Sequence, residues 1–305
     1  GDGFQRGGVI TSSGLFTARP AVGDYIAVDK TMDCADALDM ANDMKKSGLD
    51  TYAAYLSGGD WTVYVKDASV SAVEAAADEN ASRVSFEGVA ITGGEAPVLV
   101  PENAVMMGGN VADTFKLNSM PYRGMLTFSV NGSSMTGVNI IGLEEYLYGV
   151  VPSEMPKSYD AEALKAQAVA ARTYAMTKLG AHTGSGYQLC DTTACQVYKG
   201  YSNEADATTA AVDATAGEVA CYNGSPIEAV FSASTGGYTE SSENVWNTAV
   251  PYLRAVSEPG EYGDNSWTKT LTLDELTALL QAKGENIGTA KDIVITKLST
   301  GGRVQ

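Results

Sequence analysis

The chain predicts an α+β fold in two parts. Three observations carry this: a strand-helix-strand-strand-helix order near the amino terminus, a glycine-rich interruption near residue 95, and an alanine-rich helical pattern at 161–178. The first part is expected over 20–95 and the second over 96–305.

In the first part, Tyr25-Ile-Ala-Val reads as a strand. Ala37, Met40, Ala41 and Met44 then recur with helical spacing, and Gly48 stands where a helix-ending glycine belongs. Thr51-Tyr-Ala-Ala-Tyr-Leu and Trp61-Thr-Val-Tyr-Val flank Ser57-Gly58-Gly59-Asp60, a hairpin signal. Ser69 to Ala77 supplies a short helix with Ala72, Ala75 and Ala76 on one side. Ala90-Ile-Thr-Gly-Gly-Glu and Met106-Met-Gly-Gly-Asn read as connection and edge strand rather than core.

The second part opens with Leu126, Phe128 and Val130 alternating with polar residues up to Asn131-Gly132, a β-hairpin pattern. Leu143, Tyr146, Leu147 and Val150 fit a short helix that is expected to stop at Pro152. From Ala161 to Lys178 there are seven alanines and no Gly or Pro, with Ser158 as the expected cap. Lys165 and Arg172 share one face of this helix, with Gln167 and Tyr174 on the neighbouring stripe. Upstream, Val150-Val-Pro-Ser-Glu-Met-Pro sets Glu154 between two prolines, a loop that holds its carboxylate stiffly. A strand is expected over Ile227 to Phe231, reached through the Asn223-Gly224 turn.

Composition narrows the function classes. A formal charge of −17, and no Lys/Arg cluster longer than Lys45-Lys46, disfavour a nucleic-acid partner. No apolar run approaches the ~18 residues of a membrane span. The first residues, Gly1-Asp-Gly-Phe-Gln-Arg, lack the order of a signal peptide, so a targeting segment is expected to be removed or absent.

Several segments together are similar to the stage II sporulation protein D family (SpoIID), with its related LytB amidase enhancers. They are Asn139-Ile-Ile-Gly-Leu-Glu-Glu-Tyr-Leu-Tyr-Gly-Val-Val-Pro-Ser-Glu-Met-Pro, Glu162-Ala-Leu-Lys-Ala-Gln-Ala-Val-Ala-Ala-Arg-Thr-Tyr-Ala, Gln196-Val-Tyr-Lys-Gly, Phe231-Ser-Ala-Ser-Thr-Gly-Gly-Tyr-Thr-Glu, Val245-Trp and Pro251-Tyr-Leu. The resemblance implies a lytic transglycosylase of peptide-free peptidoglycan that works outside the cytoplasm, with Glu154 as its acid. One carboxyl group suffices for that chemistry, because the muramyl 6-hydroxyl replaces water as nucleophile. A carboxylate between prolines is otherwise an exposed turn residue.

Lys165 and Arg172 are read either as a solvated helix face or as groups that steady substrate oxygens. Tyr174, Gln196 and Tyr198 join them as candidate substrate contacts. Ser232, Ser234, Thr235 and Gly236 form a strand-exit loop whose hydroxyls suit N-acetyl sugars, or simply a bulged turn. Tyr198, Tyr201, Tyr238, Trp246 and Tyr252 add aromatic faces.

His182, the sole histidine, precedes Cys190 and Cys195 by eight and thirteen residues. Some members of the family hold zinc through a His and two Cys here, which makes a structural zinc the expected cofactor, the chemistry itself needing none. A Cys190–Cys195 disulfide, or three unlinked side chains, meets the same spacing. Cys34 and Cys221 are expected to be buried thiols.

The amino-terminal order, with the Lys46-Ser-Gly-Leu-Asp-Thr-Tyr turn, resembles a SPOR-type module, whose family binds peptide-free glycan; a generic α/β module without a ligand has the same order. Expected partners are therefore glycan strands and a cell-wall amidase. The main rival function is a non-catalytic glycan binder that stimulates such an amidase. A zinc hydrolase is disfavoured by the two thiolate ligands, and a serine hydrolase by the lack of any other histidine base. The resemblance further implies a domain that continues past Ser299 to Val304, so a final strand is expected beyond Gln305.

Overall fold

The computed structural model describes residues 16–107, 114–258 and 267–305. The expectations placed on Gly1 to Arg6 and on Gly108-Gly-Asn lie outside these residues. Helices and strands are mixed, as an α+β fold requires.

The amino-terminal elements are β1 (Thr17–Val28), α1 (Cys34–Lys46), β2 (Asp50–Ser57), β3 (Asp60–Lys66), α2 (Val70–Ala77), β4 (Ala81–Thr92) and β5 (Val98–Pro101). The strands close into a barrel in the order β1-β3-β2-β5-β4. Local chemistry sets the helix ends. The Asp33 carboxylate accepts the Asp36 N–H at 2.9 Å to start α1, and Gly48, at φ +85°, donates its N–H to the Lys45 carbonyl to end it. Ser69 caps α2 through the Ala72 N–H.

Alternation then divides the barrel residues between two faces. Ile26, Ala53, Val63, Val65, Val89 and Val98 pack against α1 and α2, whereas Tyr25, Tyr52, Ala54, Ala90 and Leu99 form a separate cluster with Tyr64 and Phe86 on the opposite face. Tyr25 meets Tyr52 and Phe86 edge-on at 6.1 and 5.9 Å.

Two expectations change here. Gly93 to Glu95 do connect two strands, but the apolar runs beside them are core rather than connection or edge: Val89 to Ile91 and Val98 to Val100 are buried, and β5 closes the barrel. A break at 95/96 therefore falls inside the barrel. The docking stripe of α2 is Val70, Val73, Ala76 and Ala77, while Ala72 and Ala75 face solvent. Alanines mark a helix face weakly, and the two valines supply the burial that decides its rotation.

Beyond the barrel, β6 (Met106–Met107), β9 (Met125–Asn131) and β10 (Ser134–Ile140) form a three-stranded sheet in the order β10-β9-β6, while β7 (Phe115–Leu117) and β8 (Met120–Tyr122) pair separately. Phe128 and Val130 of β9 are buried in the same core as Trp61 and Ile91 of the barrel. Helices α3 (Leu143–Glu154), α4 (Ala161–Lys178) and α5 (Asp206–Ala214) make a second core from Leu147, Val150, Val151, Ala168, Ala171, Ala175 and Val212. The alanines of α4 admit this close packing.

The cap of α4 is Asp160, not Ser158, and no side chain bonds its first turn. The hairpin β11 (Cys221–Tyr222) and β12 (Ser225–Pro226) turns at Asn223-Gly224, both at positive φ, as expected. No strand runs from Ile227 to Phe231; the last backbone bond of the hairpin is Ile227 N–H to Ala220 O at 3.0 Å. The last helices are α6 (Glu243–Trp246) and α7 (Leu273–Ala282), and α7 starts on a capping box between Thr272 and Glu275. Among the described residues no helix is long and apolar enough to cross a membrane.

Candidate functional site

Helix α3 does not stop at Pro152; it carries that proline in its last turn and ends at Glu154. A proline there costs only the donor that Tyr148 O would have received, and the Ser153 hydroxyl turns back to Gly149 O at 2.7 Å. The Met155 N–H closes the turn on Val151 O, and Met155 is extended, as the residue before Pro156 must be. Glu154 is thus a helix-terminal residue rather than a loop residue between prolines. It is half-buried, and its Oε1 accepts the Val197 N–H at 2.7 Å. A helix end and a backbone amide hold the carboxylate.

The segment that supplies this amide is anchored on both sides. Gln196 is fully buried: its Nε2 donates to Ala171 O at 3.2 Å and its Oε1 accepts from the Tyr146 hydroxyl at 3.3 Å. The Tyr198 ring lies 5.1 Å from that of Tyr146, and its hydroxyl donates to Asn139 Oδ1 at 3.0 Å. Asn139 Nδ2 in turn donates to the Arg123 and Met125 carbonyls. Burial pushes the Tyr146 and Tyr198 phenols far above their ordinary range, so both remain neutral hydrogen-bonding groups.

The Tyr198 ring fits because residue 149 has no side chain. A Cβ there would lie 2.6 Å from the ring and 3.2 Å from Gly200 O. Gly149→Ala is expected to lower stability by about 1–3 kcal/mol through overpacking, an effect larger than the ~1 kcal/mol gained in helix propensity. Thermal denaturation beside Gly180→Ala, where a Cβ meets nothing within 4 Å, checks this; equal melting temperatures would refute the fit.

Arg172 is 1% exposed and faces the interior. Its Nε and Nη2 donate to both oxygens of Glu144 at 2.8 and 2.7 Å, and its guanidinium also reaches the Glu218 and Val212 carbonyls. The Arg172 hydrogen bonds hold the Glu144 carboxyl below the usual carboxylate range. Arg172 and Gln196 are therefore internal clamps, which corrects their reading as substrate contacts: both are buried, and their hydrogen bonds run to the protein's own backbone, to Glu144 and to Tyr146.

Lys165 stays at the surface, paired with Glu162 at 2.7 Å. Tyr174 is half-buried, edge-on to Phe231 at 6.2 Å and beneath the Lys178 ammonium. Ser232, Ser234, Thr235 and Gly236 do form one loop, with Gly236 and Gly237 at positive φ. Its bracing was not legible in the sequence: the Arg303 guanidinium, sixty-five residues after Tyr238, donates to the Thr235 and Tyr238 carbonyls and pairs with Glu240.

His182, Cys190 and Cys195 come together, with their ligand atoms all within 4.8 Å of one another and His182 Nε2 3.2 Å from Cys195 Sγ. The His182 ring stacks on Tyr187 at 5.1 Å. None of the four cysteines is in a disulfide. Two soft sulfurs and an imidazole at such spacing fit the donor set of a tetrahedral zinc ion, for which ligand distances are about 2.0–2.3 Å. Cys34 packs half-buried against the barrel core, whereas Cys221 is exposed on β11 rather than buried.

Fold and site together define a mixed α+β protein whose helix-terminal glutamate is steadied by a loop leading out of a His-Cys-Cys cluster. Residues 131–222 match the SpoIID family, described as stage II sporulation protein. Over 130 residues the chain is 50% identical to the amidase enhancer of Bacillus subtilis (strain 168), covering 43% of this chain and 17% of that protein. It is 39% identical over 163 residues to the stage II sporulation protein D of the same organism, covering 48% of each. An uncharacterized protein of Brachyspira hyodysenteriae is 42% identical over 166 residues, which cover 54% of this chain and 45% of that one. The resemblance to the SpoIID/LytB family is shown over this segment, and the chain spans less than half the length of each of these relatives.

Proposed function

We propose that this protein is a lytic transglycosylase of peptidoglycan, acting outside the cytoplasm on glycan strands that have lost their stem peptides. The observation that supports it best is the fixed Glu154 carboxyl group within the segment similar to stage II sporulation protein D. In the proposed reaction Glu154 gives its proton to the oxygen that joins C1 of N-acetylmuramic acid to N-acetylglucosamine, and the C1–O bond breaks. The muramyl 6-hydroxyl oxygen then bonds to C1 while its proton passes to Glu154, which leaves a 1,6-anhydro ring and consumes no water. The Val197 N–H at 2.7 Å orients the carboxyl group, so that one oxygen is held and the other is available to the sugar. Mass spectrometry of products from peptide-free strands tests the reading: 1,6-anhydromuramyl ends support it, and reducing muramyl ends refute it.

Similarity to an amidase enhancer favours a second reading, a glycan-binding protein that stimulates a cell-wall amidase without cutting glycan itself. Intact strands after incubation, together with a faster amidase, would establish it. The element order of the amino-terminal barrel supports a further role as a SPOR-like glycan tether.

His182, Cys190 and Cys195 are proposed to hold one structural zinc ion, which would cross-link the loop between α4 and Gln196. Only Gln196 separates Cys195 from Val197, whose amide holds Glu154, so the cluster would steady the carboxylate from outside. Metal analysis is expected to give near-stoichiometric zinc. At a thousandfold excess over Kd such a site stabilises the fold by about 4 kcal/mol, so a chelator should lower the melting temperature by roughly 10 °C. Metal-free protein with an unchanged melting temperature under chelation would remove the site.

A further inference from the structure

The short 3-10 turn Tyr201–Asn203 carries an aromatic ring that the protein holds rigid and leaves uncovered. Tyr201 is 43% exposed. One face of its ring lies 4.7 Å from the Arg123 guanidinium carbon. That guanidinium is fixed by a bidentate pair with Glu204, Nε to Oε1 at 2.7 Å and Nη2 to Oε2 at 2.8 Å. The same guanidinium carbon is 5.9 Å from the ring of Tyr148, whose hydroxyl donates to the Asp213 carboxylate at 2.6 Å. Arg123 thus serves both rings, of which Tyr148 is half-buried and Tyr201 is left to solvent. A ring whose only role was to fill the interior would not be left in water.

The turn is also tied to the proposed catalytic residue. Asn203 Nδ2 donates to the Ser153 hydroxyl at 2.8 Å, and Ser153 directly precedes Glu154. Gly200, at φ +65°, has no room for a side chain, since a Cβ would lie 2.6 Å from Pro121 O and 2.9 Å from the Tyr122 ring. Tyr201 thus starts from a backbone fixed on one side by the β7–β8 hairpin and on the other by the end of α3. The turn is thereby joined, through Ser153, to the residue that carries the carboxylate.

We infer that Tyr201 is a sugar-stacking platform beside Glu154, on which a pyranose ring of the glycan lays its apolar C–H face. The inference rests on the glycan reading proposed above and names a subsite for it. A pyranose has one face made largely of C–H groups with hydroxyls at its rim, which matches a flat π-face. A peptide-free strand offers such a ring at every position. Arg123 contributes by bracing the platform, not by contacting the sugar: its charge is spent on Glu204 and on the two rings.

The test measures binding without turnover, with Glu154→Gln protein and a peptide-free tetrasaccharide of alternating N-acetylglucosamine and N-acetylmuramic acid as the probe. Adding Tyr201→Ala should raise Kd about tenfold, the size of one aromatic contact, and Tyr201→Trp should keep or tighten binding. Tyr201→Leu retains apolar cover for Arg123 without a π-face, so weak binding by this variant at an unchanged melting temperature attributes the loss to stacking. A Kd for Tyr201→Ala within twofold of the parent, or full binding by Tyr201→Leu, overturns the platform and leaves the glycan reading in place. A parent that binds no tetrasaccharide overturns the glycan reading itself.

Discussion

Glu154→Gln should slow release of 1,6-anhydromuramyl product by two to four orders of magnitude, roughly the contribution of a positioned general acid and base. The substitution is nearly isosteric. A glutamine carbonyl oxygen can still accept the Val197 N–H, so the loop and the end of α3 keep their connection and the melting temperature should move little. What is lost is the transferable proton, and with a single carboxyl group proposed for both proton transfers, no second residue takes over. Initial rates on peptide-free strands, read beside thermal denaturation, separate the outcomes. A rate within a factor of two of the parent would remove Glu154 from the chemistry, and a low rate with a low melting temperature would make it structural.

Among the substitutions, Glu144→Ala carries the largest expected loss of stability. It strands the Arg172 guanidinium, 1% exposed, without its countercharge. Breaking a buried pair by removing one partner costs about 3–5 kcal/mol, and with Glu144 itself about a third exposed the lower end applies. The melting temperature should fall by roughly 10 °C. Arg172→Lys should not rescue the fold, because a lysine cannot bond both carboxylate oxygens and two carbonyls at once.

Acid should act on the same pair. Since the folded-state pKa of Glu144 is depressed, its contribution to stability is complete above the ordinary carboxylate pKa and disappears as pH falls through the lower, folded-state value. Melting temperature against pH should therefore drop in the parent in this acidic window, and the Glu144→Gln protein should show a shallower drop. Parallel curves would show that the pair carries no pH-dependent stability.

How much of this was legible in the sequence depends on the distance between partners. Helix α4 could be read because its alanines act locally, and α1 because Ala37, Met40, Ala41 and Met44 recur with helical spacing up to Gly48. Glu154 was found through its motif, but its real support, the Val197 amide, lies forty-three residues away. Arg172 illustrates the opposite failure. A charged residue on an amphipathic helix reads as solvated until its partner Glu144, twenty-eight residues earlier, is known. Strand β4 was missed although Val84 and Phe86 alternate with Arg83, Ser85 and Glu87: its first half is largely exposed, and its buried end runs into Gly93-Gly94, which reads as connection. Pro152 misled for a physical reason too: a proline in the last helical turn forfeits a single hydrogen bond.

The barrel imposes an order on its own assembly. Strand β1 pairs along its full length with β4, from Val28 opposite Ala81 to Thr17 opposite Thr92, contacts that span fifty-three to seventy-five residues. The β2–β3 hairpin, by contrast, closes across Gly58-Gly59. Loop-closure entropy grows with the length enclosed, so the hairpin is the inexpensive nucleus and the β1–β4 seam is a late event that waits for both helices to dock. Until then β1 has unsatisfied hydrogen-bonding groups on the side that β4 will cover, and a chain emerging amino terminus first exposes that strand for longest.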